Sequence, residues 1–103
     1  MNIQFIHANE IAKYVEDEHV TFIDLRDPSE YRRRHIKGAV SIPYEHFLKQ
    51  YKTLSRNQKY VLYCERGATS ILAAASMQRI GYRVCSLAGG MQAAVRNRQT
   101  PYN

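Results

Sequence analysis

The residues most able to do chemistry in this 103-residue chain are Cys64-Glu65-Arg66-Gly67-Ala68-Thr69-Ser70, set directly after the apolar run Tyr60-Val61-Leu62-Tyr63. A cysteine in that place is either a small buried hydrophobe ending a strand or a thiolate displayed for reaction. If Glu65 to Thr69 curve around the sulfur, their backbone N–H groups form a concave anion-binding nest, backed by the positive end of the helix that follows. Such a nest would hold a thiolate nucleophile, an anionic ligand or the terminal sulfur of a persulfide. Gly67 lets the backbone bend without a Cβ, Arg66 adds positive charge, and Thr69 and Ser70 carry hydroxyl donors. Glu65 opposes the cradle, because a carboxylate beside the sulfur repels an anionic substrate unless it turns away.

The other chemistry-bearing residues are sparse. Cys85 lies inside Arg83-Val84-Cys85-Ser86-Leu87 and reads as core rather than as a resolving thiol. The two cysteines form no C-x-x-C pair, and His7, His19, His35 and His46 lack metal-ligand spacing, so neither a metal nor a cofactor is expected. The net charge of +6 is spread along the chain, with one true cluster at Arg32-Arg33-Arg34. That cluster reads as a solvated helix end, and no nucleic-acid partner is expected.

Alternating elements must position the cysteine. Apolar residues near the amino end, then Ile11, Tyr14 and Val15 at helical spacing, then Val20 to Leu25 predict strand, helix and strand. Asp27-Pro28 starts a short helix ending near His35. A brief strand spans Ala39 to Ile42 before Pro43, and a helix runs from about Tyr44 to Tyr51. Lys59 to Tyr63, apolar on both faces, predicts a central parallel strand. A helix over Ala68 to Ile80 follows, rich in small residues that allow close approach to the sheet, with Gly81 as its C-cap. Then come a strand in Tyr82 to Leu87, a Gly89-Gly90 turn and a last helix over Met91 to Arg98. The expected fold is a three-layer α/β/α sandwich with a mainly parallel central sheet, forming one domain over residues 1–98. Residues 99–103 read as a short frayed tail.

These segments together resemble one known family, the rhodanese-like sulfurtransferase domains. The likeness rests on Asp24-x-Arg26 at a strand end, Glu30-Tyr31, His35-Ile36-x-Gly38-Ala39, Ile42-Pro43, the Cys64 loop and Leu87-x-Gly89-Gly90, in that order and spacing. The resemblance implies a sulfane-sulfur transferase. Cys64 would take sulfur from thiosulfate or a related persulfide donor, carry it as a cysteine persulfide, and pass it to cyanide or a thiol. It also implies that the amides of Glu65, Arg66, Gly67, Ala68 and Thr69 bind the transferred sulfur, with Arg66 assisting anionic donors. Asp24, Arg26 and His35 match motif positions read as mainly structural: a carboxylate and a guanidinium pairing near the sheet end, and an imidazole satisfying loop backbone. Two departures from the pattern are local: Arg34 stands where the family commonly has glycine, which is expected to alter the turn there, and Ala94 stands where an aromatic residue is common, which bears on the packing of the last helix.

Two rival functions fit less of the sequence or leave turnover aside. Cysteine phosphatases and arsenate reductases need an arginine six positions after the cysteine to neutralise a transferring phosphoryl group, and this chain has Ser70 there. A persulfide carrier serving a sulfur-relay protein requires the same cysteine without small-molecule turnover. Neither a signal peptide nor a membrane span is expected, and the default compartment is the cytosol. Both a monomer and a homodimer are compatible with the sequence.

Overall fold

The computed structural model describes residues 2–103. Its sheet is built from β1 (Phe5–Ile6), β2 (Val20–Asp24), β3 (Val40–Ser41), β4 (Lys59–Tyr63) and β5 (Arg83–Leu87), ordered β1-β5-β4-β2-β3 with every pairing parallel. The helices are α1 (Ile11–Val15), α2 (Pro28–Arg33), α3 (Tyr44–Gln50), α4 (Ala68–Arg79) and α5 (Gly90–Arg96). The expected parallel sandwich is therefore observed, with β4 at its centre.

The two-residue period of the strands sorts the core into two layers. Tyr60, Leu62 and Cys64 join Ile23, Val84 and the helix residues Phe47, Ala73, Ala74 and Met77 on one face. Val61 and Tyr63 join Phe22, Cys85, Leu87, Ile11 and Met91 on the other. Cys64 thus continues the Leu62 row toward α4, while Cys85 lies behind the sheet in a separate cluster. Fully buried Ala73 and Ala74 supply the small surface by which α4 approaches the strands.

Several boundaries differ from the sequence expectation. The third strand is confined to Val40–Ser41, which pair with Ile23 and Asp24, while the Ala39 N–H before them is taken by the Ile36 carbonyl in the preceding turn. The last helix starts one residue earlier, at Gly90, and stops at Arg96. The tail is not frayed. Thr100 is buried and its hydroxyl donates to the Ala94 carbonyl at 2.7 Å, while the Lys37 N–H donates to the Pro101 carbonyl at 3.0 Å. Tyr102 bridges Ile36 in antiparallel fashion and packs against the cluster that contains Ala94. The polar composition of residues 99–103 signals fraying, but Tyr102 finds apolar surface that local sequence does not display. Arg34, expected to alter its turn, has extended backbone (φ −169°) open to any residue, and its guanidinium lies 5.1 Å from the Tyr102 ring centroid.

Candidate active site

Strand β4 delivers Cys64 to the carboxyl edge of the sheet, where loops lead into helix amino termini and ligands commonly bind. The chain then turns through Gly67, which caps α4 in the left-handed region (φ +107°). That conformation is cheap only for glycine. It aims two backbone donors at the sulfur: the Gly67 N–H lies 3.1 Å and the Ser70 N–H 3.4 Å from Cys64 Sγ. Cys64 is only 7% exposed, so the sulfur sits at the inner end of the site rather than on the surface.

A second layer fixes the loop from behind. The Ser70 hydroxyl, fully buried, shares a 2.7 Å hydrogen bond with the Ser86 hydroxyl and also donates to the Gly67 carbonyl. The amino end of α5 rests on the same loop: the Met91 N–H donates to the Cys64 carbonyl at 2.8 Å and the Gln92 N–H to the Glu65 carbonyl at 3.0 Å. Gly90 permits this approach, since a Cβ there would collide with both carbonyl oxygens. The Gly89-Gly90 turn therefore belongs to the site, as the wedge beneath the cysteine loop.

Beside β4 runs β2, in register so that Asp24 pairs with Tyr63. Its end carries a buried ion pair. Asp24 is fully buried and accepts from the Arg26 N–H at 2.9 Å, from Nε at 3.0 Å and from Nη2 at 2.8 Å. Nη2 also donates to the Arg34 carbonyl at 2.6 Å, tying the end of α2 to β2. Burial opposes the Arg26 charge, but the hydrogen bonds and charge of Asp24 outweigh it and raise its affinity for the proton. Tyr63, under this pair, is held protonated well above the usual phenol range by burial first and by the Asp24 charge second. Its hydroxyl accepts from the Ile36 N–H at 3.2 Å.

These loops enclose a cavity of about 490 Å³, lined by Leu25, Arg26, Asp27, Glu30, Tyr44, Cys64, Glu65 and Thr69. Of the loop residues expected at the site, Glu65 and Thr69 line the cavity and Gly67 supplies a donor to the sulfur. Arg66 and Ala68 are exposed and lie outside the lining. Glu65 turns toward Arg26, its Oε1 3.7 Å from Nη1, with its side chain half exposed. His35 is also outside the lining. Its Nδ1 donates to the Tyr31 carbonyl at 2.7 Å, and its ring stacks on Tyr31 with centroids 3.7 Å apart.

Sequence reasoning assigns Ser70 a hydroxyl role; in the structure its hydroxyl oxygen accepts from the Cys64 thiol at 3.6 Å, and its backbone N–H adds a donor to the sulfur that the sequence reading did not single out. Sequence reasoning misses Leu25, Asp27, Glu30 and Tyr44 as cavity walls, which the parallel neighbourhood of β2 and β4 brings to the cysteine. The carboxyl-edge rule, applied to the loop after β2, is the signal that could have found them. Cys85 is 1% exposed, and burial pushes its thiol up to about 11.

The sequence pattern of the family described as the Rhodanese-like domain matches residues 7–97. The thiosulfate sulfurtransferase PspE of Escherichia coli is 30% identical over 73 residues, covering 69% of this chain and 70% of that protein. The putative sulfur carrier protein YrkF of Bacillus subtilis is 32% identical over 81 residues, covering 78% of this chain. The chain spans only 44% of the length of YrkF and 14% to 28% of other, longer relatives. In fold, it is similar to a rhodanese-related protein from Thermoplasma volcanium, with a TM-score of 0.87, 24% identity and 97% of each chain covered. Among the described residues, no helix is long and apolar enough to cross a membrane. With the match spanning nearly the whole sandwich and the cysteine loop at its carboxyl edge, the chain belongs to the rhodanese-like domain family, whose relatives are named as sulfurtransferases and sulfur carriers.

Proposed function

We propose that the chain is a sulfurtransferase in which Cys64 accepts sulfane sulfur as a persulfide and passes it to a thiophilic acceptor. The observation that carries this reading is the sulfur of Cys64 at the inner end of a cavity, facing two N–H donors. With thiosulfate, the thiolate attacks the outer sulfur. The new bond joins Sγ to that sulfur, the old sulfur–sulfur bond breaks, and its electron pair leaves with sulfite. In the second half, cyanide or a thiolate attacks the same outer sulfur, and the pair in the Sγ–S bond returns to Cys64.

The Gly67 and Ser70 amides offer donors to negative charge at the sulfur in both halves without reorganising. Asp24, Arg26 and His35 act as positioning groups in this reading, holding β2, α2 and the loop after it around the cavity. A phosphoryl-transfer role is disfavoured by the same geometry. The position six after the cysteine holds Ser70, whose fully buried hydroxyl is engaged by Ser86.

A second reading, a persulfide carrier that hands sulfur to a partner protein, is favoured by the likeness to YrkF. Both readings are tested by intact-protein mass spectrometry after incubation with thiosulfate or with a cysteine desulfurase and cysteine. A gain of one sulfur on the wild type and on Cys85→Ser, absent in Cys64→Ser, is expected. An unmodified Cys64 under both donors, or sulfur on Cys85, would overturn the assignment. Adding cyanide to the loaded protein separates the two: discharge with thiocyanate release marks turnover, and retention until a protein acceptor arrives marks a carrier.

A further inference from the structure

Resting on Cys64 as the sulfur-carrying residue, we propose that its cavity is built for a persulfide donor with positive charge flanking the reacting sulfur, and that it disfavours thiosulfate. The cavity lining holds the three carboxylates Asp27, Glu30 and Glu65 against one cation, Arg26. That cation is already matched: Nε and Nη2 are engaged by buried Asp24, and Nη2 also by the Arg34 carbonyl. Only Nη1 faces the rim, 3.6 Å from Glu30 and 3.7 Å from Glu65. Arg33 and Arg34 line an adjoining cavity that shares Arg26, Glu30 and Glu65, but neither lines the cavity of Cys64, and neither is near enough to Asp27 to pair with it. Arg33 reaches Glu30 only at 4.0 Å on a largely exposed side chain, Arg66 lies outside the lining, and Asp27 has no ion-pair partner among the described residues. An acidic mouth on a chain of net charge +6 is a local arrangement, not a reflection of composition.

The inner end of the site has the opposite sign, with N–H groups and the amino end of α4 at the sulfur. In-line attack by Sγ places the donor's outer sulfur against those amides and its leaving group toward the rim. Thiosulfate would put its trioxo group, and then the departing sulfite dianion, among the carboxylates. A persulfide R–S–SH with an ammonium or guanidinium group on R would put a cation there instead. The thiolate of Cys64 attacks the outer sulfur, the Sγ–S bond forms, and the donor's sulfur–sulfur bond breaks. The electron pair leaves with RS⁻, which takes a proton from solvent, so no outside oxidant or reductant is required.

The test measures the rate of sulfur loading on Cys64 by quenched intact mass spectrometry, using four donors: thiosulfate, glutathione persulfide, cysteamine persulfide and the persulfide of a Lys-Cys-Lys peptide. Each rate is normalised to the donor's reaction with free cysteine. Cysteamine persulfide is expected to load about tenfold faster than glutathione persulfide, with added salt narrowing the gap and accelerating thiosulfate. Neutralising the rim in Asp27→Asn, Glu30→Gln and Glu65→Gln combined should erase the preference. Each carboxylate removed should raise thiosulfate loading about three- to tenfold. Should the triple variant fold poorly, Glu65→Gln alone and the salt series on the wild type carry the same comparison. A peptide much faster than cysteamine persulfide identifies a protein donor, and equal rates identify a small amine thiol. Normalised loading from the anionic donors that is as fast as from the cationic ones, or that is slowed by salt, overturns the inference. Failure of every donor to load Cys64 instead overturns the sulfur-carrying reading on which it rests.

Discussion

Replacing Gly90 with alanine would separate the packing of the site from generic glycine effects. Gly90 has φ +60°, and a Cβ placed on it would lie 2.7 Å from the Glu65 carbonyl oxygen and closer still to that of Cys64. Relief requires α5 to withdraw from the loop, which breaks the Met91 and Gln92 hydrogen bonds to those two carbonyls. The left-handed conformation costs a residue with a Cβ about 1–2 kcal/mol, and each lost hydrogen bond costs about 0.5–1.5 kcal/mol. A loss of about 2–5 kcal/mol is therefore expected. Gly38→Ala is the control, since Gly38 has φ +80° but a Cβ there meets nothing within 4 Å. It should lose only the conformational part, about 1–2 kcal/mol. Urea and thermal melts measure both, with each kcal/mol lowering Tm by about 4–8 °C in a domain of this size. Sulfur loading of Cys64 should fall in Gly90→Ala and persist in Gly38→Ala. Equal destabilisation of the two variants, or unchanged loading in a destabilised Gly90→Ala, would refute the wedge role of the double-glycine turn.

Two further outcomes are expected. Arg26→Met should cost about 3–5 kcal/mol in urea unfolding, because it strands the fully buried Asp24 carboxylate. Adding Asp24→Asn to it should recover part of that loss, and a single-variant loss below about 1 kcal/mol would show that the pair is not structural. Stability should also fall in alkali. The Cys85 thiol titrates at about 11 in the folded protein against 9.0 ordinarily, so its contribution is complete below pH 9 and is lost as pH climbs toward 11. A rise of that size corresponds to about 2–3 kcal/mol. Tyr60 and Tyr63, also raised, add loss of the same sign at higher pH. Urea midpoints between about pH 8 and pH 11 measure this, and a flat profile would contradict it.

The cysteine loop is legible because its signals are local. Strand alternation places Cys64 on the Leu62 face, and glycine followed by small residues marks a helix start. The motif order identifies the family pattern without any tertiary information. The tail is misread for the complementary reason. Tyr102 has no local partner, and Ile36 becomes one only when the end of α5 and the loop after α2 meet at the same edge. Arg66 is exposed and outside the cavity lining, because its position beside Cys64 in sequence does not say which way the loop turns its side chain. Glu65 lines the cavity with Arg26 as its partner, which the sequence pairs only with Asp24.

By itself, the sequence determined the alternating elements, the parallel sandwich, the position of Cys64 at the end of a central strand and the family. Periodicity, turn chemistry and motif spacing act over a few residues and survive in one dimension. Only the tertiary structure decided which charges line the cavity, that Arg26 is already matched by Asp24, that α5 rests on the cysteine loop, and that Cys85 lies behind the sheet. Those facts follow from strand order, which sets β2 beside β4 and brings the loop after one against the loop after the other. Electrostatics depends on distance in space, and a chain reveals such distances only once it is folded.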